Sequence, residues 1–397
     1  MTRRMLLTAA ATCVGVRAAP EAKLKITSVA ASPLHVRETP PAGGGAPLPE
    51  FDPLRWRSFG PFSQLNGAIL VRIRTDQGIT GYGMGGGGGA ACYIIENHLR
   101  DLLVGVNPLQ IEVIWDQLFA STSFYGRRGL VIQALSGIDL ALWDIAGKHA
   151  AAPVYRLLGG PTKDRVPGYY TGNDVEHGLK LGLAGVKISN FATARQGREG
   201  MRTNVQKILD ARRRIGPEPL LMADALCAWD VPYTLELAQR VTEARLHFLE
   251  EPLLPDDLPG YSRLCAEVQG TKIASGEHEA TLYGFAALLR DRAAHILQPD
   301  VTWSGGLTEC RRISMAAEAS GIPVIPHRGS SVYGMTLIVT SRSQTLAESF
   351  GTGDSGNELM ELLTPRLEKG YYVLPKGPGF GVDFTPAVLK TFAPGLV

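Results

Sequence analysis

The chain lacks any long run of charge of one sign. Its 40 basic residues nearly balance 38 acidic ones, leaving a net charge of +2 over 397 residues. This balance excludes the basic stripe of a nucleic-acid binder and the polybasic patch of a protein held on an anionic membrane. Cysteine is sparse: Cys13, Cys92, Cys227, Cys265 and Cys310 are the five, and no two form a Cys-x-x-Cys pair. That spacing excludes a dense disulfide framework and the usual zinc clamps, and reads as buried thiols. No apolar run reads as long enough to span a bilayer. What is present is a 45% share of hydrophobic residues. This is enough for a large core, and the length allows two ordinary domains or one barrel with additions.

The N-terminus stands apart. Thr2-Arg3-Arg4-Met5-Leu6-Leu7 leads into small apolar residues up to Ala19. An Arg pair before an apolar stretch resembles a twin-arginine export signal, so residues 1–22 are expected to be a leader cut near Ala18 or Ala19, with a periplasmic product. The competing reading is a disordered leader on a cytoplasmic protein. The stretch Pro40 to Pro53, rich in Pro and Gly, reads as a long loop of the kind that covers a site. The glycines from Gly85 to Gly89 are not followed by Lys-Ser/Thr, so they read as a flexible turn rather than a phosphate loop.

Strand-like alternation in Ala68 to Thr75 and Ile79 to Gly83, around Asp76-Gln77-Gly78, predicts a hairpin. Helical periodicity follows in Cys92 to Leu103, Asn107 to Ala120 and Leu130 to His149. Strands first and helices after read as an α+β layer over residues 23–155, to which residues 371–397 are expected to return. After Gly160 the pattern changes to alternating strand and helix. Five short apolar runs end in Asp224, Glu250, Glu277, Asp300 and His327, at steps of 26, 27, 23 and 27 residues. With Val166 to Thr171, Ala184 to Ser189 and Thr345 to Phe350, they make eight βα units over residues 156–370. The fold class expected is α/β, a modified TIM (β/α) barrel with an N-terminal α+β capping domain.

Ionisable residues at the C-terminal ends of barrel strands are where such a fold keeps its chemistry. Asp224, Glu250 and Glu277 converge from adjacent strands, and three carboxylates in contact need a cation between them. An all-oxygen ligand set favours Mg²⁺, with Mn²⁺ an acceptable substitute. Glu251 follows Glu250 and is expected to point to the opposite face and bond the barrel wall. His327 and Asp300 end neighbouring strands, an arrangement in which the carboxylate orients the imidazole as a general base. Lys187 ends strand two at the same mouth, where it either stabilises negative charge or, with a lowered pKa, acts as a base. Glu348 on strand eight is either a protonated donor to substrate or a structural ion pair. His278 and Arg328, beside Glu277 and His327, are candidate substrate contacts.

Ser-Gly-Ile-Asp-Leu-Ala-Leu-Trp-Asp from residue 136, Pro-Val-Tyr-Arg-Leu-Leu-Gly-Gly from 153, Glu250-Glu251-Pro252, Ser-Gly-Glu277-His278, Gln-Pro-Asp300 and Pro-His327 together resemble the mandelate racemase branch of the enolase superfamily. Within it the chain is most similar to the L-rhamnonate dehydratases. The resemblance implies a Mg²⁺ site at Asp224, Glu250 and Glu277, a His327–Asp300 dyad and a homo-oligomer. It implies a small-molecule sugar acid bound through its carboxylate, with a capping loop somewhere in Leu34 to Arg57, Arg57 included, closing over it. Two departures stand out. Many relatives carry Lys-x-Lys where this chain has Lys187-Ile188-Ser189, which removes the second-face base and favours elimination with His327 as the single acid/base. Arg328 occupies the place where Gly follows His, and adds a cation to the pocket. The competing activities are a racemase, epimerase or cycloisomerase; the non-enzyme alternative is a binding protein on a retired barrel.

Overall fold

The computed structural model describes residues 24–35, 67–350 and 358–397. The proposed leader, the Pro/Gly-rich loop and Arg57 lie outside them.

The chain begins with β1 (Ile26–Pro33), β2 (Ile69–Thr75) and β3 (Thr80–Gly85), an antiparallel meander in that order. Helices α1 (Gly88–Ile94), α2 (Ile111–Thr122) and α3 (Leu130–His149) cover it. The α3 helix lies directly on β3 because that strand has no side chains on the facing side. A Cβ on Gly83 would stand 2.2 Å from the Gly137 carbonyl oxygen. On length and composition α3 could cross a bilayer, with an 18-residue window of mean hydropathy 1.4, which the reading of the sequence missed; 78% of that window is buried inside the protein.

Gly85 to Gly88 is also buried, not a loose turn. A Cβ on Gly86 would press on Gln133 Oε1 at 2.8 Å and on Trp303 Nε1 at 3.0 Å. The glycines are there for close approach between layers.

The barrel strands are β4 (Arg165–Thr171), β5 (Gly185–Ile188), β6 (Leu220–Asp224), β7 (Phe248–Glu250), β8 (Lys272–Ser275), β9 (Ile296–Leu297) and β10 (Ala347–Ser349). They pair in parallel in sequence order from β4 to β9, and β10 returns to β4. The helices between them are α4 (Val175–Lys180), α5 (Gly197–Ile215), α6 (Val231–Arg240), α7 (Leu258–Glu267), α8 (Thr281–Arg290), α9 (Gly306–Ala319) and α10 (Val332–Val339). Asp230 and Asp257 cap α6 and α7 through the backbone N–H groups of Tyr233 and Gly260, each ahead of a Pro in the first turn, so these helix starts are written in the sequence. Tyr169, Met222, Phe248, Ala274, Ile296, Ile325 and Leu346 fill the barrel's interior.

The seventh strand expected over Ile322 to His327 is reduced to a single bridge, Leu297 to Val324. Pro323 and Pro326 lack the N–H groups that a ladder needs. Beyond β10, two short strands, β11 (Leu367–Glu368) and β12 (Tyr371–Val373), run antiparallel, and β12 pairs with the first half of β4. The last residues pack Phe380, Phe384, Leu389 and Leu396 against Leu34, Leu70, Met84 and Leu140.

The Ser-Gly-Ile-Asp stretch of α3 fastens the meander layer to the barrel at a pair of glycines. Ser136 Oγ accepts from Gly305 N at 2.9 Å, and Asp139 accepts from Thr308 N at 3.1 Å and Thr308 Oγ1 at 2.5 Å. Asp144, further along, accepts from Tyr82 N and Phe380 N.

Candidate active site

Parallel register brings the acids together. Asp224 stands opposite Glu250, and Glu250 opposite Ala274, across β6, β7 and β8. Glu277 lies two residues past β8, after a turn at Gly276 with φ +128°, where a Cβ would meet Phe285 at 2.8 Å. One oxygen from each of Asp224, Glu250 and Glu277 lies within 4.8 Å of the other two, and all three residues are buried. Glu250 Oε2 accepts from Lys187 Nζ at 2.7 Å and from Gln298 Nε2 at 2.8 Å. Its other oxygen, Oε1, is buried with no hydrogen-bond partner among the described residues. A buried lone pair left open in an all-oxygen set fits a hard divalent ion.

The protonation energetics agree with that fit. Burial pushes Asp224 up to about 7, with the Lys187 ammonium opposing and the Glu277 charge adding to it. Burial likewise raises Glu250 and Glu277. A cation held between them would keep all three ionised at neutral pH.

Lys187 is fully buried below this trio. Its Nζ is 2.7 Å from Glu250 Oε2, 2.6 Å from Glu348 Oε1 and 3.6 Å from Asp224 Oδ2. Burial disfavours its charge, but Glu250 and Glu348 outweigh that and hold its pKa well above the ordinary value. Three carboxylates within 3.6 Å favour the ammonium, and with it the charge-stabilising role of the two expected for Lys187. Glu348 accepts from Thr171 Oγ1 at 2.6 Å and Arg328 N at 2.9 Å. Burial opposes its ionisation, yet Lys187 and His327 keep it below the usual carboxylate range. Its contacts with Lys187 Nζ and with the Arg328 backbone N–H favour the ion-pair alternative of the two expected for it.

His327 Nδ1 lies 2.7 Å from Asp300 Oδ2. Asp300 is fixed in turn, its Oδ1 accepting from Thr302 N and Thr302 Oγ1, each at 2.6 Å. The far nitrogen, Nε2, stands 3.6 Å from Glu277 Oε2 and 3.9 Å from Glu348 Oε2, so it faces the carboxylate trio. Burial works against the imidazolium, but Glu277, Glu348 and Asp300 together push His327 up to about 9.

Glu251 departs from its expected place. Its φ of +36° takes it out of strand geometry, and its carboxylate bonds His278 Nδ1 at 2.7 Å and Cys227 Sγ at 3.5 Å instead of the barrel wall. His278 also lies 3.6 Å from Glu277 Oε1, and its side chain is 20% exposed. The Arg328 guanidinium sits 4.7 Å over the Trp303 ring, with Nε 3.9 Å from Asp300 Oδ2.

Two residues here were missed from sequence. The Trp303 ring lies 5.1 Å from that of His327 and 6.0 Å from that of His278; its signal was its position three residues past Asp300. Gln298 orients Glu250 and sits in the Gln-Pro-Asp stretch already noted.

The sequence and the fold both have known relatives. Residues 175–388 match the family described as Enolase C-terminal domain-like, and residues 58–159 match the Mandelate racemase / muconate lactonizing enzyme, N-terminal domain. The L-rhamnonate dehydratase of Saccharopolyspora erythraea is 38% identical over 81% of this chain and 84% of its own. The crystal structure of L-rhamnonate dehydratase from Gibberella zeae superposes with a TM-score of 0.83 at 30% identity, covering 94% of this chain and 97% of that one. A structure of rhamnonate dehydratase from the same organism complexed with Mg has a TM-score of 0.79, also at 30% identity, covering 93% and 96%.

Proposed function

The chain belongs to the mandelate racemase / muconate lactonizing enzyme group of the enolase superfamily, and from that membership we propose that it is a Mg²⁺-dependent acid-sugar dehydratase of the L-rhamnonate dehydratase type. The observation that carries the reading is the His327 Nε2, anchored from behind by Asp300 and aimed at three buried carboxylates.

Asp224, Glu250 and Glu277 would hold the ion. When bound, Mg²⁺ supplies Lewis-acid polarisation of the substrate carboxylate, which makes the α-proton removable. His327 takes that proton on Nε2. It then gives the proton to the 3-hydroxyl, which leaves as water, and the enol left behind tautomerises to a 2-keto-3-deoxy acid. Asp300 holds Nδ1 protonated, so Nε2 is the basic nitrogen. Lys187 and Glu348 form a buried charge lock that fixes Glu250 from below. His278 and Arg328 stand at the edge of the site as the proposed substrate contacts; Arg57, the third residue assigned that role, lies outside the described residues.

A racemase needs a second base on the opposite face. Ser189 is beyond the end of β5, its backbone N–H donating to Asn173 Oδ1 at 3.2 Å, and a hydroxyl there does not serve as that base. Exposed Tyr93, Phe124, Tyr125 and Tyr283 support a homo-oligomer, which light scattering tests.

The test of function is a panel of aldonic and aldaric acids with Mg²⁺, L-rhamnonate first, read for 2-keto acid. Keto acid from one or a few of them is expected. Exchange at C2 with no keto acid would move the reading to racemisation.

A further inference from the structure

The strand ends that carry the carboxylate trio carry a second triad. Cys227 lies three residues past Asp224, Glu251 one past Glu250, and His278 one past Glu277. Their ligand-type atoms also lie within 4.8 Å of one another, and Cys227 and Glu251 are buried. The first triad is all oxygen. The second is sulfur, oxygen and nitrogen.

We propose that Cys227, Glu251 and His278 form a second metal site, selective for a softer ion of the Zn²⁺ class. Three features carry this. The ligand set is the thiolate, carboxylate and imidazole mixture that Zn²⁺ takes and Mg²⁺ does not. The 3.5 Å between Cys227 Sγ and Glu251 Oε2 is the separation of two ligands around a tetrahedral ion with bonds of about 2.3 Å to sulfur and about 2.1 Å to oxygen. The 2.7 Å between His278 Nδ1 and Glu251 Oε2 is a hydrogen bond, and opening it by about 0.7 Å lets an ion replace the shared proton.

The backbone holds the triad in place before any ion arrives. Cys227 N donates to the Glu251 carbonyl at 2.7 Å, and both residues have positive φ, +57° and +36°. Binding would release the thiol proton and the proton between His278 and Glu251. Three protein ligands leave a fourth position for water. Cys227 is the buried free thiol that its sequence spacing suggested, and the proposal gives it a ligand's role.

The two triads are neighbours through Glu277, so the test is run with Mg²⁺ saturating. The protein is titrated with Co²⁺ as a spectroscopic stand-in for Zn²⁺. The expected result is one equivalent bound with a thiolate-to-cobalt charge-transfer band in the near ultraviolet, bleached by Zn²⁺. Cys227→Ser should lose the band, and Cys227→Ser and Glu251→Gln should each weaken Zn²⁺ binding by at least about tenfold. Circular dichroism and retained Mg²⁺ binding check that the variants fold. No thiolate band at saturating Co²⁺, an equal band in Cys227→Ser, or Co²⁺ displaced by excess Mg²⁺ would each overturn the proposal.

Discussion

His327 Nδ1 and Asp300 Oδ2 lie 2.7 Å apart, deep in the barrel mouth. That contact fixes which imidazole nitrogen is free and where it points. It also raises the imidazole's proton affinity, with Glu277 and Glu348 contributing more. A base works only when neutral, so activity should rise with pH through the His327 pKa.

Replacing Asp300 by Asn removes one of the charges that raise His327. The lower limb of the kcat/KM profile should move to lower pH, and kcat should fall by roughly 10²–10⁴-fold as the tautomer is lost. A limb that stays in place would assign the titration to another group.

Removing the metal should expose the mutual repulsion of the trio. Asp224 is raised from an ordinary 3.8 to about 7. A carboxyl raised on folding contributes stability that is complete below its unfolded pKa and lost as pH rises through the folded one. The Tm of chelator-treated protein should therefore fall between those two values, and Mg²⁺ should restore it, by about 2.7 kcal/mol at a hundred times Kd. A Tm indifferent to Mg²⁺ at pH 8 would show that the carboxylates do not hold it.

Lys187→Met leaves Glu250 and Glu348 buried without their counter-charge, a loss of about 3–5 kcal/mol. Mg²⁺ shares Glu250 with Lys187 in this account, so denaturant titration should show a smaller loss with Mg²⁺ than without. Equal losses would separate Lys187 from the metal site.

Turnover in deuterium oxide distinguishes elimination from racemisation. Solvent deuterium should appear at C3 of the keto product, while recovered substrate stays unlabelled at C2. Label at C2 without water loss would contradict the single-base scheme.

Much of this was legible in the sequence because strands buried on both faces leave apolar runs, and the chain marks their ends with acids. The runs ending in Asp224 and Glu250 and the α3 helix appear where periodicity puts them. Other features depend on information that periodicity does not carry. Pro323 and Pro326 cut strand seven to one bridge. The glycine run read as loose because small residues look like loop, whereas Gln133 and Trp303 press against it. The turn that gives Glu251 to His278 and Cys227 is a backbone angle, and neighbouring residue types do not announce it. Trp303 joins the site by ring contacts that spacing alone does not encode.

The most direct measurement is keto-acid formation from the preferred acid sugar by His327→Asn in saturating Mg²⁺. Turnover should drop by about 10²–10⁴-fold, with circular dichroism and Mg²⁺ affinity unchanged. Near-normal turnover in that variant would contradict the account, which assigns the α-proton to His327 Nε2.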